Sequence, residues 1–226
     1  MIGDRAFGEK AEDVARLGRV VIETLQGAGI AACGKHFPGH GDTSTDSHHE
    51  LPIVDHSPDR LRAVELVPFR AAIEAKVASL MTAHVLIPSF DEEHPATLSR
   101  AVIDGLLKRE LGYEGLVLSD DLDMRAISAQ HGLGDAAVGS IAAGCDAFLL
   151  CGPDPGKQIE ALEAIIRAVE EERLPLKRVE DALLRHRRVK ERFLAGEPRR
   201  PDARALSQVL GRSEHRAVAE EMARFA

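Results

Sequence analysis

Tryptophan is absent from this 226-residue chain, tyrosine occurs once, and aromatics make up only 4% of it. With 44% apolar residues a sizeable core is still possible, but Ala, Val, Leu and Ile must build it. Positive charge is also short: 29 Lys and Arg face 37 Asp and Glu, a formal charge of −8. That argues against non-specific nucleic-acid binding, which needs a basic face to neutralise phosphates. The one basic run, "RHRRVKERF" (Arg185 to Phe193), reads as the solvated face of a surface helix. Cysteine is scarce and odd in number, at Cys33, Cys145 and Cys151. This is no disulfide framework, and a reducing, cytoplasmic setting is expected. No run is apolar and long enough to span a membrane, and no signal peptide stands at the start.

What is present is an alternation of helix and strand patterns. Ala11 to Leu25 carries Val14, Leu17, Val21 and Leu25 at helical spacing. "GAGIAAC" follows as a turn and a short strand. Pro58 to Ala75 reads as a helix and Val77 to Val85 as a buried strand. Ser99 to Leu111 reads as a helix capped by Ser99. Gly115 to Leu122 is a strand with acids at its end, Gly134 to Ala143 a helix, and "CDAFLLCGPD" a strand. Helices over Pro155–Glu171 and Leu176–Phe193 precede a Pro- and Arg-rich tail from Gly196, expected to pack loosely. Four apolar strands, each followed by a helix, imply a parallel sheet covered on both faces. Each strand ends in polar residues (His36, His84, Asp120, and Asp154 a little beyond), the usual place for chemistry in (β/α) barrels and doubly wound sheets.

The densest polar stretch is "GKHFPGHGDTSTDSHHELP", Gly34 to Pro52, with four histidines, two aspartates and three glycines. Asp46 and His48 stand two residues apart, so an extended segment projects both to one side. A carboxylate beside an imidazole raises its pKa and keeps a proton available for general acid catalysis. The plainer alternative is a turn with both groups solvated. Lys35 and His36 leave the strand before a sharply looping Pro/Gly run, and both can point into a central pocket. A zinc set of His36, His40, His48 and His49 has no helical His pair with a glutamate and no nearby cysteine, so no metal is assigned. In "SDDLDM" (Ser119 to Met124), capping of the next helix is the plainer reading for Asp121 and Asp123. A functional role is favoured for Asp120, the first acid after a buried strand.

"KHFPGHGDTSTDSHHELP" closely resembles the bacterial β-N-acetylglucosaminidases of glycoside hydrolase family 3, the peptidoglycan-recycling type. "LLKRELGYEGLVLSDDLD" (Leu106 to Asp123) resembles that family's nucleophile signature, and "IGDRAFG" (Ile2 to Gly8) its sugar-binding Arg segment. The resemblance implies an α/β fold of the (β/α)8 TIM-barrel type and a retaining glycosidase for terminal β-linked N-acetylglucosamine, working without a cofactor. It makes Asp120 the nucleophile, His48 the acid/base and Asp46 its orienting partner. Arg5, Lys35 and His36 would bind sugar hydroxyls, and Met124 would line the pocket floor. Family members carry about three more βα units upstream. The expectation is therefore an N-terminally truncated barrel of about four units over residues 1–195, with a C-terminal tail over 196–226. A missing N-terminal barrel segment becomes an expected partner. Two alternatives stay open: a phosphorylase using the same residues, and an inactive remnant serving as an interaction module.

Overall fold

The computed structural model describes residues 3–43, 47, 50–195 and 202–224. Four strands form one parallel sheet in the order β1-β2-β3-β4: β1 (Cys33–Phe37), β2 (Ser79–Thr82), β3 (Leu116–Asp121) and β4 (Ala147–Leu149). The register sets Cys33 opposite Ser79, Ser79 opposite Leu116, and Leu118 opposite Ala147. A parallel neighbour needs a crossover, and helices supply each one. Helix α1 (Ala11–Gly27) leads into β1, and α2 (Pro58–Ala63) and α3 (Leu66–Glu74) join β1 to β2. A π-helix (Ala101–Glu110) joins β2 to β3; α4 (Arg125–Ser128) and α5 (Leu133–Ala143) join β3 to β4. Helix α6 (Pro155–Glu170) follows β4, and α7 (Leu176–Leu194) follows α6.

Several boundaries differ from the sequence expectation. The first strand starts only at Cys33, the last residue of "GAGIAAC", and runs on to Phe37, so it contains Lys35 and His36. The preceding glycines end α1 instead: Gly29 has φ +83°, and the Ile30 N–H closes back on the Leu25 carbonyl at 2.9 Å. The helix expected over Pro58–Ala75 is two helices. Pro68 explains the break, because its ring clashes with the carbonyl four residues back, at Val64, where α2 stops. Ser99 does cap its helix, accepting the Val102 N–H at 3.2 Å. That helix is wound more widely than an α-helix, with the Leu111 N–H reaching the Leu106 carbonyl five residues back. The tail holds two helices, α8 (Ala203–Val209) and α9 (Ser213–Met222), and residues 202–224 are all exposed. The chain divides into two compact units, Met1–Phe193 and Leu194–Ala226.

The main core of the first unit is aliphatic, as the composition requires, with Leu61, Leu66, Leu80, Ile103, Leu107 and Val117 buried at its centre. Its aromatic contribution includes an edge-on Phe37–Phe69 pair with centroids 5.2 Å apart. Phe37 anchors the end of β1 in this core, which fixes where the loop after it begins. Because all four strands are parallel, their C-terminal ends open on one side of the sheet.

Candidate active site

Asp120 occupies that side. Hydrogen bonding along β3 holds its backbone, and the Ser119 hydroxyl both donates to the Asp120 carbonyl (2.6 Å) and accepts from the Leu149 N–H (3.1 Å). One carboxylate oxygen accepts the Asp121 N–H at 2.8 Å. The other lies 3.5 Å from Nε2 of His36 on β1. The two side chains are 19% and 10% exposed, at the margin of the solvent. This contact would be an ion pair only with a protonated ring. Burial is the largest influence on His36 and outweighs the attraction of Asp120; with repulsion from Lys35, His40 and Arg5 it lowers the pKa to about 4. His36 is therefore neutral near pH 7 and brings no positive charge to the Asp120 carboxylate.

The neighbouring acids are already engaged. Asp121 turns its carboxylate to the Asp123 N–H (3.1 Å) and the Cys151 N–H (3.2 Å), tying the β3 turn to the segment after β4. Asp123 pairs with Lys157 of α6 at 2.8 Å. Neither caps α4, contrary to the plainer sequence reading: the N-cap is Met124, which makes no side-chain cap. Asp154, grouped with the strand-end residues by sequence, caps α6 by accepting the Gly156 N–H at 2.8 Å.

Lys35 sits exposed on β1, and Arg5, exposed in the N-terminal segment, is near enough for its charge to bear on His36. Met124 is buried in the turn after β3. Arg5, Lys35, His36 and Asp120 are thus brought into one electrostatic neighbourhood. Asp46 and His48 lie outside the described residues. Ser47, the residue between them in sequence, is described and firmly held. It is buried, its hydroxyl lies 3.2 Å from His40 Nε2, and its carbonyl accepts the Ala126 N–H at 3.2 Å. The His40 ring is fixed on its other side by Thr43, 2.8 Å from Nδ1. Thr43 donates its own hydroxyl to the His40 carbonyl (3.1 Å). Gly39 makes this loop possible. Its φ is +143°, and an added Cβ would meet the Glu65 side chain at 2.9 Å.

Sequence reasoning gave His40 only a weighed and rejected metal role, and it read His84 only as a polar strand end. His84 is fully buried, with Nε2 donating to the Asp121 carbonyl (2.9 Å) and Nδ1 2.8 Å from the Thr97 hydroxyl. Burial lowers its pKa. A neutral ring then has its proton on Nε2, since a carbonyl can only accept. His84 thereby holds the backbone next to Asp120. The signal was available: a histidine inside an apolar strand needs buried partners.

A half-buried carboxylate with an open oxygen at the C-terminal mouth of a parallel βα sheet marks the arrangement as that of an α/β barrel enzyme domain. Residues 1–189 match the glycosyl hydrolase family 3 N terminal domain, and the chain belongs to that family. A β-hexosaminidase of Thiobacillus denitrificans is 41% identical over 151 residues, covering 67% of this chain and 42% of the relative. Another from Alkalilimnicola ehrlichii is 43% identical over 167 residues, covering 74% and 46%. A solved glycoside hydrolase family 3 β-N-acetylglucosaminidase from Paenibacillus sp. str. FPU-7 is 46% identical with a TM-score of 0.86, over 89% of this chain and 39% of that one. The chain thus spans less than half the length of these relatives. The fold expected from sequence, a barrel-type α/β domain represented by four βα units, is the one found.

Proposed function

We propose that this chain carries the catalytic half of a retaining β-N-acetylglucosaminidase that removes terminal N-acetylglucosamine from cell-wall fragments. The observation that carries the reading is the state of Asp120: one oxygen steadied by a backbone N–H, the other open beside a neutral His36. The β-hexosaminidase relatives support the sugar class. In this mechanism Asp120 attacks the anomeric carbon, and His48 protonates the glycosidic oxygen as its bond to that carbon breaks. The product is a covalent glycosyl–Asp120 ester. His48 then takes a proton from water, whose oxygen attacks the same carbon and releases Asp120. Asp46 fixes the His48 tautomer and favours its charged form. Arg5, Lys35 and His36 hold sugar hydroxyls, and Met124 lines the floor. A neutral His36 suits this role, because it can hydrogen-bond a hydroxyl without quenching the charge of the nucleophile.

Two wider features belong to the same proposal. The outer edges of β1 and β4 are unpaired among the described residues, so further βα units, in the same polypeptide or a second one, complete the barrel and are needed for full activity. The free thiols of Cys33 and Cys151 are exposed, which favours a reducing, cytoplasmic setting.

The test is hydrolysis of a chromogenic β-N-acetylglucosaminide by the chain alone and with the upstream units supplied. Asp120→Asn should abolish turnover, and a mechanism-based fluorosugar should label the peptide at Asp120. His48→Ala should lose ~10²–10⁴-fold on substrates with poor leaving groups. Asp46→Ala should lose nearly as much, and the double variant little more. Label on Asp121, or full activity in Asp120→Asn, would overturn the assignment.

A further inference from the structure

A cavity of about 450 Å³ lies at the opposite end of the sheet from Asp120. Its walls are the segments entering β2 and β3 and one face of α7. Five residues separate Gly115, in that lining, from Asp120, so the two sites stand about 16 Å apart along β3. The basic run that reads as a solvated helix face in the sequence supplies Arg185, Arg188 and Arg192, spaced to share one side of α7, and Lys76 faces them. Arg185 is committed to Asp181 and to the Gly115 carbonyl. The others are not neutralised. Arg192 donates to the Lys76 carbonyl at 3.3 Å and lies over the Phe193 ring, 4.8 Å from its centroid, and among the described residues no carboxylate is within ion-pair distance of Lys76, Arg188 or Arg192. Glu114, the one acid in the lining, makes no such pair. Between these cations the lining is apolar, with Val77, Val189 and Phe193 contributing to it.

We propose that this cavity binds a phosphorylated small molecule, its phosphate held by Lys76, Arg188 and Arg192 and its body laid on the apolar surface. Unpaired like charges in one concavity repel each other and focus a positive potential, which an anion relieves. The volume falls in the range of small-molecule sites, about 300–1,000 Å³. A bare ion would leave the apolar part unfilled. The site is independent of the glycosidase reading.

Calorimetric titration of this chain with AMP, glucose 6-phosphate and inorganic phosphate tests the proposal. At least one organic phosphate should bind about tenfold more tightly than inorganic phosphate, and the ranking of AMP against the sugar phosphate identifies the body preferred. Binding should weaken as salt rises. Arg188→Glu and Lys76→Glu should each weaken it at least about tenfold, the scale of a charge-assisted contact. Their melting temperatures should not fall below the wild-type value, since among the described residues neither side chain has an ion-pair partner to lose and each change relieves like-charge repulsion. No binding at millimolar ligand, equal binding of all three anions, or affinity indifferent to both substitutions would overturn it.

Discussion

Asp120 and Asp146 are the same side chain in opposite circumstances. Asp146, just before β4, has a side chain 0% exposed and receives Lys108 at 2.9 Å, the Val117 N–H at 2.9 Å, Arg178 in close contact and Arg185 at 3.9 Å. Arg178 goes on to the Cys145 and Ile141 carbonyls at 2.8 and 3.1 Å. The π-helix, β3 and α7 are thus fastened through one carboxylate. Asp120 has one N–H and a neutral imidazole at 3.5 Å. A carboxylate whose lone pairs are all engaged by cations fixes structure. One with an open oxygen and no paired cation is free to act as a nucleophile or base. Within one sheet, Asp146 at the end that enters the strands serves cohesion, and Asp120 at the end that leaves them keeps one oxygen without a cation partner among the described residues.

The largest expected effect separates these two sites by stability. Asp146→Asn leaves several cations without their counter-charge and should cost about 3–5 kcal/mol, the scale of breaking a buried pair from one side. Asp120→Asn keeps an acceptor for the Asp121 N–H and loses no cation. It should change stability by less than about 1 kcal/mol. Urea denaturation of both variants measures the difference. Equal losses would end the division of labour drawn between them.

Asp120 was legible in the sequence because its signal is local: an apolar strand that stops at an acid. Asp146 was not, although it lies in a strand pattern of the same kind. Its partners, Lys108, Arg178 and Arg185, are 32 to 39 residues away in sequence, and no local pattern announces them. The same distinction runs through the fold. Element order and parallel pairing follow from apolar periodicity. The split at Pro68 is marked only by the proline itself, set in a strong helical periodicity that runs on either side of it. The widened turns of the π-helix carry no local signature of this kind. Within the candidate site, the residues proposed to touch a sugar stood out as polar clusters. The supports did not, because His84 with Thr97 and His40 with Ser47 become meaningful only once their partners are known.

A second effect, smaller than the loss of Asp146, concerns pH. His36 titrates at about 4 in the fold against 6.5 when unfolded, and burial lowers His84 in the same direction. The unfolded chain therefore binds these protons more readily. Their contribution to stability is complete above pH 6.5 and is lost as pH falls toward 4. Asp91 and Asp181, lowered below their usual 3.8, and Glu110, lowered below its usual 4.5, lose theirs only below those values, which leaves the window above pH 4.5 to the histidines. Denaturation curves at pH 7.5, 5.5 and 4.5 should show falling stability, and His36→Asn should flatten that slope. Asp146→Asn should shift the whole curve down and leave the slope between pH 6.5 and 4 in place. A slope unchanged by His36→Asn would mean that the ring is not held neutral beside Asp120.

The smallest effect isolates burial from pairing. Asp123 and Lys157 are as close as Lys108 and Asp146, 2.8 against 2.9 Å, but their side chains are 22% and 46% exposed rather than 0% for Asp146 and 9% for Lys108. Water competes for the exposed pair, ordering a long lysine costs entropy, and salt screens what attraction remains. Lys157→Ala should therefore leave the urea midpoint within experimental error at physiological salt. Any small difference at low salt should vanish in 1 M sodium chloride. The Asp146→Asn defect should persist there, because buried charges are screened far less. If high salt erased both differences alike, the contrast between the two ends of the sheet would rest on exposed charge, and Asp146 would lose its standing as the buried fastening of the fold.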